Sequence, residues 1–262
     1  VIGKRADGYH YLDSLVAFPD IGDKIEVSSS KSINLKITGR LKKELNTKEK
    51  LILKATKLLK SKNMGADIHL NKNTPISAGL GGGSSNAAVV LKLLSKLWNV
   101  PLPSVNDLVL LGADIPVCMD WRLQRMQGIG EKISFIDSPE FLWIVLLNNG
   151  DKVPTKIIFQ DISENDFSDI VNIPKFNDKR VLIKFLKSTG NDLEKSATKM
   201  HPIIKNLTNS ILTTSGCLIS RMSGSGSTCF GLYEKKFEAE QAKKKLIHKF
   251  PKAWIRVAKI FS

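Results

Sequence analysis

Cysteine is scarce in this chain of 262 residues, which contains only three cysteines. Cys118, Cys217 and Cys229 are odd in number and widely spaced, and this argues against a disulfide framework or a zinc site. Long apolar runs are also missing, since no stretch approaches the length of a membrane span and no secretory segment stands at the start. These absences favour a reducing compartment, so we expect a cytoplasmic protein without a membrane partner.

Acidic residues are few relative to basic ones: 25 Asp and Glu stand against 40 Lys and Arg, which gives a net charge of +15. Such an excess is one property of nucleic-acid-binding proteins. Aromatic residues, however, make up only 7% of the chain, and few of them lie within the lysine-rich stretches 42–62 and 235–259. We therefore interpret the excess as a solvated lysine-rich surface and expect no nucleic-acid partner, although a basic surface also attracts anionic nucleotides.

The most distinctive stretch that is present runs from Pro75 to Ser85 and reads Pro-Ile-Ser-Ala-Gly-Leu-Gly-Gly-Gly-Ser-Ser. Glycine lets a ligand approach the backbone closely, and exposed N–H groups ahead of a helix form an anion site. Apolar residues recur at helical spacing over Ala87–Trp98, and Ser84, Ser85 or Asn86 is a candidate N-cap. The alternative is a flexible turn before a core helix. A turn rarely needs so many glycines, so we favour a phosphate-binding loop.

Two common phosphate loops are excluded by the residues that follow these glycines. A P-loop carries a lysine and then Ser or Thr after its last glycine, whereas Gly83 is followed by Ser84 and Ser85. A dinucleotide fingerprint needs a glycine three residues after Gly81, where Ser84 stands. The stretch instead resembles the Pro-x-x-x-Gly-Leu-Gly-(x-x)-Ser-Ser loop of the GHMP kinases, the superfamily of galactokinase, homoserine kinase and mevalonate kinase.

Three further motifs resemble this superfamily in the same order along the chain. Gly3–His10 reads Gly-Lys-Arg-Ala-Asp-Gly-Tyr-His and is similar to the opening signature of the GHMP kinases whose substrate carries cytidine. Leu111–Cys118 contains Gly-Ala-Asp-x-Pro, with Asp114 predicted at a helix-to-strand junction, and Arg221–Phe230 contains a Ser-Gly-Ser-Gly turn between two strand-like runs. Each motif alone also has an ordinary structural interpretation, as a packed strand end, an aspartate bonded to a turn, and a hairpin.

The resemblance implies a kinase that transfers the γ-phosphate of ATP to the 2-hydroxyl of 4-diphosphocytidyl-2-C-methyl-D-erythritol, in non-mevalonate isoprenoid synthesis, with Mg²⁺ on the phosphates. It further implies that Asp114 is the catalytic base, and that the cytidylated substrate is oriented by Tyr9, His10, Thr155 and Phe159. From the residues alone, Phe159 is equally well interpreted as a core side chain. The residues expected to hold the ATP phosphates are Pro75, Ile76, Ser77, Ala78, Gly79, Leu80, Gly81, Gly82, Gly83, Ser84 and Ser85. No residue is assigned as a metal ligand.

The chain departs from the family pattern in several places. The family has an Ala-Lys-x-Asn-Leu strand whose lysine supports the base, and nothing here matches it, so no lysine is given that role. Because Val1 reads as mid-strand sequence, we expect further residues before it in the natural protein. Lys50 stands where some relatives carry an asparagine near the adenine, and the segment 106–111 is about one helical turn short. The segment Met119–Met126 has Asp120, Trp121, Arg122 and Arg125 in place of small residues.

The fold implied by the resemblance is α/β, or α+β, in two domains. We expect a ribosomal-protein-S5-like N-terminal domain over residues 1–145, a ferredoxin-like C-terminal domain over residues 146–262, an active site in the cleft, and a monomer or homodimer. One alternative is a GHMP kinase for homoserine or mevalonate, and Tyr9, His10 and Phe159 argue against it because neither substrate carries a base. Another is a basic RNA-binding protein, which needs neither the glycine motifs nor Asp114.

Overall fold

The computed structural model describes residues 1–41, 49–59, 64–138 and 140–261, without the side chains of Glu49 and Lys50. The predicted role of Lys50 and much of the lysine-rich stretch 42–62 therefore lie outside the described residues. The strands are β1 (Gly3–Lys4), β2 (His10–Val16), β3 (Lys24–Ser29), β4 (Ile33–Thr38), β5 (Ala66–Asn71), β6 (Gln124–Gly128), β7 (Lys132–Phe135), β8 (Leu142–Asn148), β9 (Cys217–Met222), β10 (Cys229–Tyr233) and β11 (Trp254–Ile260). The helices are α1 (Glu49–Leu59), α2 (Gly82–Trp98), α3 (Val105–Leu111), α4 (Ile115–Cys118), α5 (Thr155–Asp161), α6 (Lys179–Ser188), α7 (Leu193–Met200), α8 (Ile203–Leu212) and α9 (Lys236–Lys249).

Two sheets form the N-terminal half of the chain. The first has the strand order β1-β2-β6-β7, with antiparallel neighbours, and the second has the order β3-β5-β4, in which β5 is parallel to β4 and antiparallel to β3. The strands of the second sheet alternate apolar and polar residues, and their apolar face packs on α1 and α2. Since β5 enters the glycine loop and α2 leaves it, this core fixes both ends of the loop.

One antiparallel sheet forms the C-terminal half, with the order β11-β8-β10-β9. Helices α5 to α8 connect β8 to β9, a tight turn connects β9 to β10, and α9 connects β10 to β11. Numbered along the chain, the four strands therefore lie in the order 4-1-3-2 of a βαββαβ unit, which confirms the predicted ferredoxin-like fold. The division at residues 145 and 146 stays a prediction, and it falls inside β8, whose residues Leu142–Asn148 all pair with β11.

Two local predictions are wrong. Helix α2 begins at Gly82, and its N-cap is Gly81, whose φ of 61° puts it in the left-handed region without a side-chain cap. Ser84 and Ser85 lie in the first turn instead, because a glycine N-cap starts the helix with its backbone alone. Asp114 lies between α3 and α4, not at a helix-to-strand junction. None of the helices in the described ranges has the length and apolarity needed to cross a membrane.

Candidate active site

The glycine loop, residues 75–85, is an arch of left-handed residues that leads into α2. Ser77, Gly79 and Gly81 have φ angles of 54°, 70° and 61°, a conformation that glycine adopts without the usual strain. Gly82 already belongs to the first turn of α2, where the lack of a side chain leaves space beside the backbone. The free N–H groups at the start of this 17-residue helix and its dipole both favour an anion at the loop.

A second glycine loop, residues 223–228, lies directly on the first. The hydroxyl of Ser223 donates to the carbonyl oxygen of Gly79 over 2.8 Å, and the N–H of Thr228 donates to the carbonyl oxygen of Ala78 over 3.1 Å. A Cβ atom at Gly79 would lie 2.1 Å from the backbone oxygen of Ser223. The two loops therefore touch through their backbones, and only glycine fits at residue 79.

Three side chains of the C-terminal half hold this second loop. Asn148, at the end of β8, donates to the hydroxyls of Ser227 and Thr228 over 3.1 and 3.0 Å. Asn191 donates to the carbonyl oxygen of Gly224 over 2.8 Å. Thr155, predicted to bind substrate, shares a hydrogen bond of 2.8 Å with the hydroxyl of Ser225. No sequence motif pointed to Asn148, because its contacts with Ser227 and Thr228 span 79 and 80 positions of the chain.

Asp114, the predicted base, contacts solvent but is largely surrounded by protein. Its side chain is exposed, yet protein encloses it on most sides, and this desolvation raises the pKa of its carboxyl above the ordinary value of 3.8. No described residue forms a hydrogen bond or ion pair with that carboxylate. The negative charge of Asp114 adds to burial in raising the pKa of the Cys118 thiol to about 12. Such an unpaired, partly desolvated carboxylate is more basic than an ordinary one.

The turn between β6 and β7 fixes the backbone beside Asp114. Gly130 in this turn has a φ of 116°, and a Cβ atom there would lie 2.1 Å from the carbonyl oxygen of Ala113. The turn is itself closed by Glu131, whose carboxylate accepts a hydrogen bond of 2.7 Å from the N–H of Ile129. Gly130 thus allows a close approach that a side chain would prevent.

His10 and Phe159, predicted to bind the substrate, lie side by side although 149 positions separate them in the chain. Their ring centroids are 5.3 Å apart, and the ring of Phe167 meets that of His10 edge-on with a centroid distance of 6.0 Å. His10 is only 6% exposed, and no residue in the described ranges forms a hydrogen bond with its Nε2 atom. Burial is the main cause that lowers the pKa of His10, and the positive charge of Lys4 is the second. The imidazole is therefore neutral at neutral pH. A buried polar atom without a partner is costly and marks a position for a ligand.

The other predicted substrate residues are placed less closely together. Thr155 and Phe159 are one turn apart on α5 and so share a face. Tyr9 is 61% exposed, and it has no ring contact with Phe159 or with any other described residue. Sequence reasoning missed Phe167, because it lies in a polar stretch that matches none of the motifs. Its one signal was an aromatic residue among exposed polar ones.

The unusual segment Met119–Met126 forms contacts of its own. The guanidinium of Arg122 pairs with Asp120 at 2.9 Å and lies 3.6 Å from the centre of the Phe135 ring. Arg125 donates to both carboxylate oxygens of Asp13 over 2.7 and 2.6 Å. None of these side chains forms a hydrogen bond with Asp114. The segment therefore supports its own sheet without reaching the predicted base.

A metal site built by the protein alone is not apparent in the described ranges, where no three or more His, Cys, Asp or Glu side chains cluster suitably. Mg²⁺ usually keeps several waters and binds through one or two carboxylates and the phosphates of a substrate. The described residues therefore do not by themselves define a magnesium site, and we assign none of them to the ion.

Comparison with known proteins agrees with this geometry. The GHMP kinases N terminal domain family matches residues 50–121, and the GHMP kinases C terminal family matches residues 172–252. A 4-diphosphocytidyl-2-C-methyl-D-erythritol kinase of Cereibacter sphaeroides is 38% identical over 263 residues, which covers 99% of this chain and 94% of the relative. The enzyme of the same name from Paramagnetospirillum magneticum is 38% identical over 270 residues, with coverage of 100% and 94%.

Solved structures show the same relationship. A 4-(cytidine 5'-diphospho)-2C-methyl-D-erythritol kinase matches with a TM-score of 0.79 and 28% identity, covering 99% of this chain and 94% of that one. A homoserine kinase from Cytophaga hutchinsonii has a TM-score of 0.66 at 15% identity, with coverage of 96% and 88%, and so shares the fold. The chain therefore belongs to the GHMP kinases, and within them to the 4-diphosphocytidyl-2-C-methyl-D-erythritol kinase family.

Proposed function

We propose that this kinase transfers the γ-phosphate of ATP to the 2-hydroxyl of 4-diphosphocytidyl-2-C-methyl-D-erythritol, as a step of the non-mevalonate isoprenoid route. The observation that carries the choice of substrate is the aromatic pocket around His10. The buried, neutral imidazole of His10 lies beside the tilted ring of Phe159, and its Nε2 has no partner among the described residues. This arrangement suits a planar base with hydrogen-bonding edges. Neither homoserine nor mevalonate offers such a group.

Recognition of cytidine follows from the protonation state of His10. A neutral imidazole nitrogen either accepts a hydrogen bond from the amino group of cytosine or donates one to its ring N3. Uracil presents the opposite pattern at both positions, with a carbonyl oxygen and a ring N–H. A His10 held in one tautomer and one position therefore distinguishes cytidine from uridine, while Phe159 and Tyr9 supply flat surfaces for the base and Thr155 a hydroxyl beside it.

Transfer of a phosphoryl group mainly requires positioning and stabilisation of charge. Backbone N–H groups within residues 76–84, with the positive end of α2, hold the phosphates of ATP, and the second loop supports the first through its backbone contacts. Mg²⁺ neutralises phosphate charge when it is bound, and no residue of this chain is assigned to it. Asp114 accepts the proton of the attacking hydroxyl, and its raised pKa strengthens it as a base.

A coupled assay of ADP release from the purified chain tests this proposal. We expect turnover with ATP and 4-diphosphocytidyl-2-C-methyl-D-erythritol, and only background ATP hydrolysis with homoserine or mevalonate. Turnover with either of those alcohols in place of the cytidylated substrate would contradict it. A gel-filtration run on the same sample separates a monomer from a homodimer, the two assembly states that we propose for this cytoplasmic enzyme.

A further inference from the structure

Asp23, which no motif contains, lies just before β3 with a nearly fully buried carboxylate. Its side chain is 1% exposed, and it pairs over 2.6 Å with the ammonium group of Lys72, which is 4% exposed. The Oδ1 atom of Asp23 accepts hydrogen bonds from the N–H groups of Asn73 and Thr74 over 2.7 and 2.9 Å, and from the Thr74 hydroxyl over 3.0 Å. The Oδ2 atom accepts from Lys72 and from the amide of Asn86 over 2.6 and 2.8 Å.

These partners stand at the two ends of the glycine loop. Thr74 is the residue before Pro75, and Asn86 is the residue after Ser85. The carboxylate of Asp23 therefore binds both ends of the arch and fixes the distance between them. Three further hydrogen bonds fix the N-terminal end of the loop. Thr74 accepts one of 2.6 Å from Lys72, and the N–H of Asn73 donates to Asp23. Trp254 of β11 donates to the Asn73 carbonyl over 2.9 Å.

Electrostatics explain why the ion pair is tolerated below an anion site. Burial alone would raise the pKa of Asp23, but the charge of Lys72 and the hydrogen bonds from Lys72, Asn86 and Asn73 outweigh it and lower the pKa. The carboxylate is thus ionised at neutral pH, and Lys72 balances its charge. A Cβ atom at Gly82 would lie 3.8 Å from the Lys72 ammonium and 3.3 Å from the Thr74 hydroxyl, so the pair lies directly behind the first turn of α2.

We propose that Asp23 is a positioning residue for ATP: by holding Thr74 and Asn86 together, it sets the arch in the conformation that receives the phosphates. The proposal rests on the proposed function, since it takes the loop as the ATP site. A purely structural ion pair is the competing explanation, because buried pairs are common without a functional role. The two explanations differ in what they predict for nucleotide binding.

Asp23→Asn tests the proposal, because it keeps the shape and one hydrogen-bonding oxygen but removes the charge and one acceptor. We expect the KM for ATP to rise by at least about tenfold, since misplacement of a binding group by about 1 Å has large effects. The KM for the cytidylated substrate should change less than about twofold, as for a residue that acts on one ligand alone. The gain in Tm from a non-hydrolysable ATP analogue should shrink in parallel.

Asp13→Asn is the matched control. Asp13 is also a buried aspartate, 10% exposed, that pairs with an arginine at 2.6 Å, but it belongs to the other N-terminal sheet. This variant should lower the Tm without raising the KM for ATP. An Asp23→Asn enzyme that loses stability like Asp13→Asn and keeps the wild-type KM for ATP would overturn the proposal.

Thr74→Val and Thr74→Ser decide the case if Asp23→Asn does not fold. Valine has the shape of threonine but lacks the hydroxyl that Lys72 and Asp23 share, whereas serine keeps it. We expect weaker binding of the ATP analogue by calorimetry for Thr74→Val, with recovery for Thr74→Ser; equal binding by both would reject the proposal. Because calorimetry needs no turnover, a wild type that binds the analogue but fails to phosphorylate the cytidylated substrate would reject the proposed function alone.

Discussion

The carboxylate of Asp114 faces solvent but lies in a protein-lined position and lacks a described partner. If it is the base, Asp114→Asn keeps its shape and removes the proton acceptor. Removal of a general base typically lowers the rate by about a hundredfold to ten-thousandfold. The KM for ATP should hardly change, because Asp114 is proposed to act on the acceptor hydroxyl and not on the nucleotide. Steady-state kinetics on the full chain check this, and near-normal turnover of the variant would exclude Asp114 as the base.

The same substitution should act on stability in a pH-dependent way. Desolvation raises the pKa of Asp114 in the folded state above its ordinary value of 3.8, so the unfolded state loses the proton more readily. The contribution of Asp114 to the free energy of unfolding is therefore lost as pH rises through the folded-state pKa. We expect Asp114→Asn to melt at a higher temperature than wild type at pH 7. The difference should vanish below about pH 3.9, where Asp114 of the wild type becomes protonated in the folded state and in the unfolded state alike.

The residues around the proposed cytidine pocket should separate stacking from edge recognition. Base–aromatic stacking contributes about 1–3 kcal/mol, so Phe159→Ala or Tyr9→Ala should raise the substrate KM by about one to two powers of ten. The kcat should fall less, since much of this binding is uniform between ground and transition states. His10→Ala should instead reduce the preference for cytidine over uridine diphosphate, measured by calorimetry.

Phe141→Ala is the control for this series. Phe141 is 44% exposed and stands before β8, at the end of the strand opposite to Asn148 and the second glycine loop. The Phe141→Ala variant should bind cytidine and uridine diphosphates like wild type. If the wild type and the variants of Tyr9, His10 and Phe159 all bind cytidine and uridine diphosphates equally, the pocket lies elsewhere.

At the scale of elements, the glycine loop offers a substitution that separates binding from folding. Gly82 has no left-handed φ, and a Cβ there meets only the Thr74 hydroxyl at 3.3 Å and the Lys72 ammonium at 3.8 Å. Gly82→Val should therefore weaken ATP binding by crowding the start of α2, while the Tm without ligand stays close to that of wild type. Gly190→Val is the control, since a Cβ there has nothing within 4 Å. Equal loss of stability and ATP binding would favour an ordinary structural turn.

The turn between β6 and β7 should affect catalysis through the backbone alone. Gly128 and Gly130 both have left-handed φ angles, of 72° and 116°, so an alanine at either position introduces strain. At Gly128 the atoms nearest to the new methyl group belong to the Glu131 side chain, whose hydrogen bond to Ile129 closes the turn, whereas at Gly130 the nearest atom is the Ala113 carbonyl oxygen. We expect both variants to lose stability and Gly130→Ala to lower kcat more than Gly128→Ala, because it displaces the backbone next to Asp114 directly. Similar kcat values for the two variants would contradict this role.

For the whole molecule, the sequence predicted what contiguous motifs encode. The glycine loop, Asp114 and the candidate substrate residues came from short stretches and from the resemblance they carry, and the strand order of the C-terminal sheet agrees with that resemblance. The resemblance placed Phe159 opposite Tyr9, whereas in the structure its ring lies beside His10. Asp23 and Phe167 were missed for one physical reason. Asp23 binds Lys72 and Asn86 across 49 and 63 positions, and such long-range contacts leave no periodicity or spacing in the chain.

The direct backbone contact between the two glycine loops has a consequence for dividing the gene. A break within the exposed stretch 168–172 would leave Gly79 on one fragment and Ser223 on the other. Neither fragment would then own a complete nucleotide site, because the hydrogen bonds from Ser223 and Thr228 to the first loop cross that break. Kinase activity would return only when the two fragments reassemble. The enzyme is therefore suited to a split-protein complementation assay, in which each fragment is fused to one of two proteins and activity reports their interaction.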